Sequence, residues 1–295
     1  MKSVLKILLL VFIFFLTSCR QQESLPYNPN TLTIGTFNIS WLGDGIDDEI
    51  PRNEADYERI AGIIKNLNPD IMALQEIENS DAINRVLKYI DGYKFIIASD
   101  GGKQNECIIY KNNIELSPLG EYMPLVVESY KTRPGLIAQV KKGNFDFIMM
   151  DVHLKSTSRY DSTQDLKEQS REMRLQQAQI LSYWADSVLS SGKEKDLIIL
   201  GDFNDYPNRT NTPTLTPIAE DTNLTFMTYG LKSCANPILN GIDHIVVSQT
   251  ADKRYIANSL RIYDTYSSFT DKEIEKISDH CPIVVQFEVK TPDED

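Results

Sequence analysis

The sequence predicts an α/β protein in which β-sheets pack together and α-helices cover their outer faces. Many short runs with strand character are accompanied by only two long amphipathic segments. Several of the runs are apolar over most of their length, as expected for strands covered on both faces. This combination predicts packed sheets flanked by helices. The composition, 41% hydrophobic and 24% charged, is that of an ordinary globular protein.

The beginning of the chain indicates targeting and not fold. After a basic start, Leu8–Leu16 is continuously apolar, and Leu-Thr-Ser-Cys at 16–19 resembles a bacterial lipobox. An apolar run of this length fits a signal-peptide core better than a membrane span. We therefore expect a lipoprotein signal peptide at residues 1–18, a lipidated Cys19 and a tether over residues 19–31. An ordinary signal peptide with an incidental cysteine is the alternative.

The residue after the cysteine and the net charge bear on location and partners. Arg20 stands where an aspartate would favour inner-membrane retention, so we expect an outer-membrane lipoprotein of the bacterial cell envelope that faces the periplasm or the surface. We also expect the protein to be a monomer. The net charge of −12 counts against general nucleic-acid binding, which needs clustered Lys and Arg. A small basic cleft or a bound metal could still supply local positive potential.

Three cysteines remain after Cys19, namely Cys107, Cys234 and Cys281. An odd number leaves at least one unpaired, even in an oxidising compartment. None has the spacing of a CxxC or zinc motif, so structural roles are expected.

The rest of the chain, residues 32–290, is predicted to be one domain without repeats or a linker. Asn53–Leu67 has apolar residues at three- and four-residue intervals and stops at Asn68-Pro69, which predicts a helix. A second helix is predicted from Thr163 to about Ser191. Strands are predicted at Leu32–Ile39, Ile71–Ile77, Lys94–Ala98, Cys107–Tyr110, Leu136–Val140, Phe145–Leu154, Leu197–Leu200, His244–Val247 and Pro282–Val289.

Polar residues suited to phosphoester chemistry lie at the ends of these predicted strands. The chain has only three histidines, and each stands close to charged residues. Sheet ends that meet at one rim would bring distant residues into one cleft, as is usual for sites on rigid scaffolds. The pattern predicts a hydrolase that uses a divalent metal and a histidine. The residues concerned are Asn38, Glu76, His153, Asp202, Asn204, Asp243, Asp279 and His280.

Six short motifs occur in an order that resembles the endonuclease/exonuclease/phosphatase superfamily. They are Thr-Phe-Asn-Ile, Leu-Gln-Glu-Ile, His-Leu-Lys-Ser, Gly-Asp-Phe-Asn, Ile-Asp-His-Ile and Ser-Asp-His. The matching motifs lie between residues 33 and 288, nearly the whole mature chain. The resemblance implies a four-layer α/β/β/α sandwich with two mixed β-sheets, of the deoxyribonuclease I-like type.

The resemblance also implies a metal site. Glu76 would be the principal ligand of Mg²⁺, with Asn38 and Asp279 beside it, and Mn²⁺ or Ca²⁺ are alternatives. Magnesium prefers a few carboxylate or amide oxygens and keeps several waters. A solvated carboxylate near a strand end is the alternative interpretation of Glu76.

By the same resemblance, His280 would act as general base or as a protonated phosphate contact. Asp243 would orient its ring and favour its charged form. His244 receives no role, because the family often has tyrosine or arginine there.

Three further catalytic residues follow from the resemblance. Asp202 would position or activate the attacking water, or hold a second metal. Asn204 and His153 would contact the phosphoryl oxygens, where charge develops in the transition state. Glu106 is a candidate partner for His153.

Substrate contacts are expected from Arg133, Lys155 and Tyr110. Each has a structural alternative: a surface arginine before a turn, a lysine whose stem covers the strand end, and a tyrosine packed in the core.

The sequence favours an envelope-anchored endonuclease that hydrolyses DNA phosphodiesters, because residues 151–156 and 171–178 are similar to secreted bacterial nucleases of this superfamily. An inositol or lipid phosphate phosphatase or phosphodiesterase is the alternative, and the acidic balance and membrane anchor would suit it. The apolar hairpin of the sphingomyelinases has no counterpart in the sequence. A catalytically silent binding lipoprotein ranks third, because Glu76, Asp202, Asn204 and His280 are all present.

Overall fold

The computed structural model of the protein describes residues 24–158 and 160–293. The predicted signal peptide and Cys19 lie outside these residues. The described strands are β1 (Thr31–Leu42), β2 (Ile71–Ile77), β3 (Tyr93–Ile97), β4 (Asn105–Lys111), β5 (Glu115–Tyr122), β6 (Gly135–Lys142), β7 (Phe145–His153), β8 (Leu197–Asp202), β9 (Leu224–Phe226), β10 (Asp243–Ser248), β11 (Arg261–Ile262) and β12 (Ile283–Glu288). The described α-helices are α1 (Glu54–Leu67), α2 (Ser80–Leu87), α3 (Gln164–Ser190), α4 (Thr216–Ala219), α5 (Gln249–Asp252), α6 (Thr265–Ser268) and α7 (Asp271–Ile277).

The described strands form two six-stranded mixed sheets. One has the order β11-β12-β1-β2-β4-β3, and the other has the order β5-β6-β7-β8-β10-β9. Each sheet contains one parallel pair, β1 with β2 and β7 with β8, among otherwise antiparallel neighbours. Parallel neighbours need a crossover, and α1 and α3 provide one for each pair. The two long helices are therefore the connections that the parallel pairs require.

Three apolar clusters separate four layers. The central cluster lies between the sheets and contains Leu32 and Ile34 of β1. The next two residues of β1 that enter a core, Phe37 and Ile39, point to the opposite face and pack against α1 and α2. The third cluster joins the other sheet to α3, including Trp184. Alternation along a strand lets one strand contribute to two cores. The predicted four-layer sandwich is confirmed.

Local capping explains why α1 begins and ends where predicted. The Asn53 side chain accepts hydrogen bonds from the backbone N–H groups of Ala55 and Asp56, and the Asp56 carboxylate completes a capping box. The helix ends at Asn68, which has the left-handed conformation that terminates helices. Observed and predicted bounds agree to within one residue.

The edge strand β5 was absent from the predicted elements, and its composition explains why. Most of its residues are at least partly exposed, and it contains Pro118 and Gly120 at an irregularity in its pairing with β6. Such an edge lacks the apolar run by which buried strands are recognised.

The end of the predicted tether lies against the domain. Leu25 is buried beside α1, its backbone N–H donates to the Asn66 carbonyl, and its own carbonyl accepts from the Asn68 side chain. Only residues before this contact are candidates for a free tether. Among the described helices, none combines the length and apolar character needed to cross a bilayer.

Candidate active site

The carboxyl ends of the two parallel strand pairs meet at one rim of the sandwich. Asn38 and Glu76 come from β1 and β2 of one sheet, and His153 and Asp202 come from β7 and β8 of the other. The Asn38 side-chain amide donates to Glu76 Oε1 at 3.2 Å and to Asp202 Oδ2 at 3.0 Å. One buried amide thus joins the two sheets at the site.

A backbone irregularity in β1 shapes the predicted metal ligands. After Asn38 the pairing with β2 is interrupted, and both Ser40 and Trp41 have left-handed backbone angles, with φ of 40° and 54°. The Ser40 N–H donates to Asn38 Oδ1 at 2.9 Å, and the Trp41 N–H donates to Glu76 Oε2 at 3.0 Å. Strained backbone of this kind is found at functional sites.

Arg52 holds this irregular segment in place through hydrogen bonds to its carbonyl groups. This role was not predicted from the sequence. Its guanidinium donates to the carbonyls of Ser40 at 2.6 Å, Trp41 at 2.7 Å and Ile39 at 2.9 Å, and to Lys276 at 2.6 Å. Burial lowers the pKa of Arg52 to about 10, so it stays charged at neutral pH. It joins the end of β1 to the end of α7.

Asp243 and His280 form a hydrogen-bonded pair. His280 Nδ1 lies 2.9 Å from Asp243 Oδ2, and its other ring nitrogen, Nε2, lies 3.7 Å from Asp202 Oδ2. Burial lowers the pKa of His280, but the Asp243 and Asp202 carboxylates outweigh this effect and raise it well above 6.5. His280 is therefore an imidazolium in the cleft, with Nδ1–H held by Asp243.

His244 has a structural role instead. It lies between Phe203 and Phe226, and its ring nitrogens bond to the Thr228 hydroxyl and the Asp205 carbonyl. Burial lowers its pKa to about 4, so the ring is neutral.

Asp202 lies at the centre of the constellation. Burial, followed by the Asp243 carboxylate, raises its pKa to about 7, against the opposing effects of His280 and the Asn38 amide. The Asn204 N–H donates to Asp202 Oδ1 at 2.8 Å. The preceding Gly201 has φ of +143°, and a Cβ there would lie 1.9 Å from the Val152 carbonyl oxygen. Only glycine lets β8 approach β7 this closely.

His153 is buried beside both carboxylates. Its Nε2 lies 3.5 Å from Asp202 Oδ2 and 3.8 Å from Glu76 Oε1. Burial lowers its pKa well below 6.5, and nearby cations lower it further, so the ring is neutral. Its Nδ1 and both Glu106 oxygens lack hydrogen-bond partners among the described residues. The structure therefore does not pair Glu106 with His153. Burial raises the pKa of Glu106 to about 8.

The oxygen donors at this rim fit a hard divalent cation. Glu76 offers two carboxylate oxygens, Asn38 offers Oδ1, and Asp279, with a side chain 78% exposed, accepts from the Ser40 hydroxyl. Each of these acceptors retains lone pairs, and Mg²⁺ takes such oxygens while keeping waters. The residues present thus fit the implied metal. Asp202, Asp243 and His280 also place ligand atoms within 4.8 Å of one another.

The site opens into a cleft of about 1150 Å³, and two of the three predicted substrate contacts line it. Arg133 and Lys155 lie on its wall. Tyr110 corrects the expectation, because it does not line this cleft. It pairs with Ile71 at the start of β2, whereas Glu76 is near the end of that strand. Antiparallel pairing of β2 and β4 carries Tyr110 to the far end of the sheet.

A disulfide links the loop before β10 to the residue after His280. Cys234 and Cys281 are bonded, and Cys107 is free and buried. Spacing alone gave no basis for this pairing, since the two cysteines are 47 residues apart. The expectation of structural roles and one unpaired cysteine agrees with this arrangement.

Comparison with solved structures shows the same fold over most of the chain. A truncated TDP2 from Caenorhabditis elegans has a TM-score of 0.63 and 16% identity, covering 88% of this chain and 98% of that one. The human Nocturnin catalytic domain has a TM-score of 0.62 and 16% identity, covering 92% and 98%. The mannosyl-6-phosphatase of Bacteroides thetaiotaomicron has a TM-score of 0.58 and 16% identity, covering 86% and 98%.

No curated protein matches the chain. The sequence model of the Endonuclease/Exonuclease/phosphatase family matches residues 35–280, which include all the residues of the cleft centre described above. The chain therefore belongs to the endonuclease/exonuclease/phosphatase family.

Proposed function

We propose that the protein hydrolyses a phosphoester by attack of water on phosphorus, with a divalent metal as cofactor. The observation that carries the proposal is the charged Asp243–His280 pair, whose free ring nitrogen faces Asp202 in the same cleft as Glu76. Hydrolysis adds one water and yields an alcohol and a phosphate. A proton donor, a proton acceptor and a cluster of oxygen ligands are what this reaction needs.

Five residues of the cleft have defined tasks in this mechanism. Glu76, Asn38 and Asp279 would hold the metal, which supplies positive charge next to the phosphate when bound. Asp202 accepts the proton of the attacking water, because a carboxyl with a pKa of about 7 can act as a base near neutral pH. His280 donates a hydrogen bond from Nε2–H to a phosphoryl oxygen as charge develops there. The leaving oxygen takes a proton from solvent in the cleft, and Asp202 releases the proton that it accepted to solvent, so the protons balance.

The charged residues that line the cleft bear on the choice between DNA and smaller phosphoesters as the substrate. The sequence favours a DNA endonuclease, and the cations Lys131, Arg133 and Lys155 on one wall support an anionic substrate. Asp271 and Glu275 of α7, which packs on the side of the first sheet, also line the cleft and would repel the phosphates of an extended strand. We therefore favour a short phosphoester, such as an inositol or sugar phosphate, and retain DNA hydrolysis as the second candidate.

We further propose that the protein acts in the bacterial cell envelope as a monomer anchored through Cys19 to the outer membrane. The Cys234–Cys281 disulfide supports an oxidising compartment. The docking of Leu25 leaves residues 20–24 between the lipidated cysteine and the domain.

The test is hydrolysis by the mature chain with Mg²⁺, offered plasmid DNA, RNA, sphingomyelin, inositol polyphosphates and fructose 6-phosphate in parallel. We expect phosphate release that is lost with a chelator and in Asp243→Asn, while the exposed control Asp91→Asn behaves as wild type. Plasmid nicking without phosphate release would establish the nuclease instead. Inactivity of a folded protein on every substrate with Mg²⁺, Mn²⁺ and Ca²⁺ would contradict the proposal and favour a silent binding lipoprotein.

A further inference from the structure

Three cations that line one side of the cleft form no direct ion pair within the described part of the chain. Lys131, Arg133 and Lys155 all line the cleft, and none forms an ion pair with a carboxylate among residues 24–158 and 160–293. Arg133 donates to the neutral Gln104 side chain at 2.6 Å, and Lys155 donates to the Ser156 carbonyl at 2.7 Å. In a chain of net charge −12, three neighbouring unpaired cations stand out.

These cations destabilise one another without a ligand. Burial lowers the pKa of Lys155, and Arg133, Arg174 and Lys131 lower it further against the opposing effect of Asp161. Repulsion of this kind is relieved when an anion binds between the cations. The wall therefore has the electrostatic character of an anion-binding surface.

The adjacent Tyr130 provides a second, independent observation. Its ring is fully exposed at the cleft, and its backbone has φ of +64°, a left-handed conformation that is costly for a bulky residue. Strain at a cleft residue points to a functional constraint. An exposed aromatic face beside cations can contact the sugar or ring that carries a phosphate.

The wall on the side of the first sheet disfavours a symmetrical polyanion. Asp271 and Glu275 lie on α7, whose Ile277 packs with β1 and α1, whereas the three cations lie on segments next to β6 and β7 of the second sheet. A substrate with negative charge on both sides of the scissile bond would face repulsion there. The two walls together select a substrate whose additional charge lies on one side only.

We propose that Lys131, Arg133 and Lys155 form a subsite for a second phosphate group of the substrate, with Tyr130 against the linking part. The preferred substrates would then be short phosphoesters with two phosphates and an otherwise uncharged body. This inference rests on the proposed hydrolysis at the Asp243–His280 centre and adds the class of substrate.

The test compares matched pairs that differ only in the second phosphate. Fructose 1,6-bisphosphate is compared with fructose 6-phosphate, and a thymidine dinucleotide with a 5′-phosphate is compared with the same dinucleotide without it. We expect kcat/KM to be at least about tenfold higher for the member with the additional phosphate in at least one pair. Lys131→Glu should reduce that ratio to about threefold or less, and Lys94→Glu, the same change on an exposed residue of β3, should not.

Binding measured without turnover separates this inference from the proposed hydrolysis. Calorimetric titration of the same ligands into His280→Ala with Mg²⁺ should show tighter binding of the bisphosphate, and Lys131→Ala should remove the difference. Equal kcat/KM and equal binding within both pairs would overturn the subsite while leaving the hydrolase intact. Tight, Lys131-dependent bisphosphate binding without hydrolysis by the wild type would keep the subsite and overturn the hydrolase.

Discussion

Replacing Arg52 by methionine should lower both the stability of the protein and its affinity for the metal. Arg52 is only 7% exposed, and its guanidinium reaches the carbonyls of three successive residues, Ile39, Ser40 and Trp41, and of two residues at the end of α7. Methionine keeps most of the apolar stem but removes every donor. The carbonyls of the irregular segment would then be left buried without partners.

The expected loss of stability follows from these contacts. Four of the five hydrogen bonds are 2.9 Å or shorter. At roughly 1 kcal/mol for each, the free energy of unfolding should fall by about 3–5 kcal/mol. Loss of a group that supports metal ligands typically weakens metal affinity by about 10–100-fold. The Mg²⁺ concentration for half-maximal hydrolysis should therefore rise at least tenfold.

Arg254 is the matched control. It is also nearly buried, it donates to the carbonyls of Thr291 and Pro292, and it forms ion pairs with acidic residues that include Asp196. It does not line the cleft. Urea unfolding and Mg²⁺ titration of both methionine variants, below their unfolding transitions, provide the comparison. Both should lose stability, but only Arg52→Met should need more Mg²⁺. Unchanged Mg²⁺ dependence in Arg52→Met would refute the proposed support of the metal ligands.

Three further predictions concern catalysis, pH and the disulfide. Asp243→Asn removes the carboxylate that keeps His280 charged, so kcat should fall by about 10²–10⁴ while the urea midpoint changes little, and a loss below threefold would contradict the role. Glu106→Gln tests the raised pKa of the Glu106 carboxyl, which is about 8 in the folded protein against an ordinary value of 4.5. The contribution of this carboxyl to stability is therefore fully present below about pH 4.5 and is lost as the pH rises to about 8. The wild type should therefore lose up to about 1.4 kcal/mol per pH unit more than Glu106→Gln between pH 5 and 8, and parallel urea-unfolding profiles would rule this out. Cys234→Ser should cost about 2–4 kcal/mol, and a reductant should lower the Tm of the wild type but leave that of the variant unchanged; a wild type insensitive to reductant would show that the disulfide contributes little.

Elements with strong local signals were predicted closely. The bounds of α1 and α3 agree with the sequence to within a residue, because capping residues and apolar periodicity are local properties. The exposed strand β5 and the short helix α2 were not predicted, since a polar edge and an eight-residue helix carry little periodicity. The resemblance to the family was also visible in the sequence, because it depends on short motifs in a fixed order.

Some residues of the site were predicted from the sequence, and others were revealed only by the tertiary structure. The motifs named Asn38, Glu76, Asp202 and His280, and the structure brings their side chains together. No feature of the neighbouring sequence indicated a role for Arg52, because an arginine before a helix cap is usually exposed. Arg52 is buried only because α7 meets the end of β1 in the folded protein. The expected substrate contact of Tyr110 was wrong for a similar reason, since the position of Tyr110 depends on the direction in which β4 pairs with β2.

The sequence by itself determined which chemical groups the protein has and which local elements hold them. Apolar periodicity, caps and short motifs depend on neighbours along the chain, so they are legible without coordinates. The tertiary structure decided which groups lie together: the Asp243–His280 pair, the amide bridge from Asn38 to both sheets, and the three cations that line the cleft without an ion pair among the described residues. These arrangements depend on the register and stacking of two sheets. Burial in that stack raises the pKa of Asp202 and of Glu106, whereas the neighbouring carboxylates, against the effect of burial, raise that of His280.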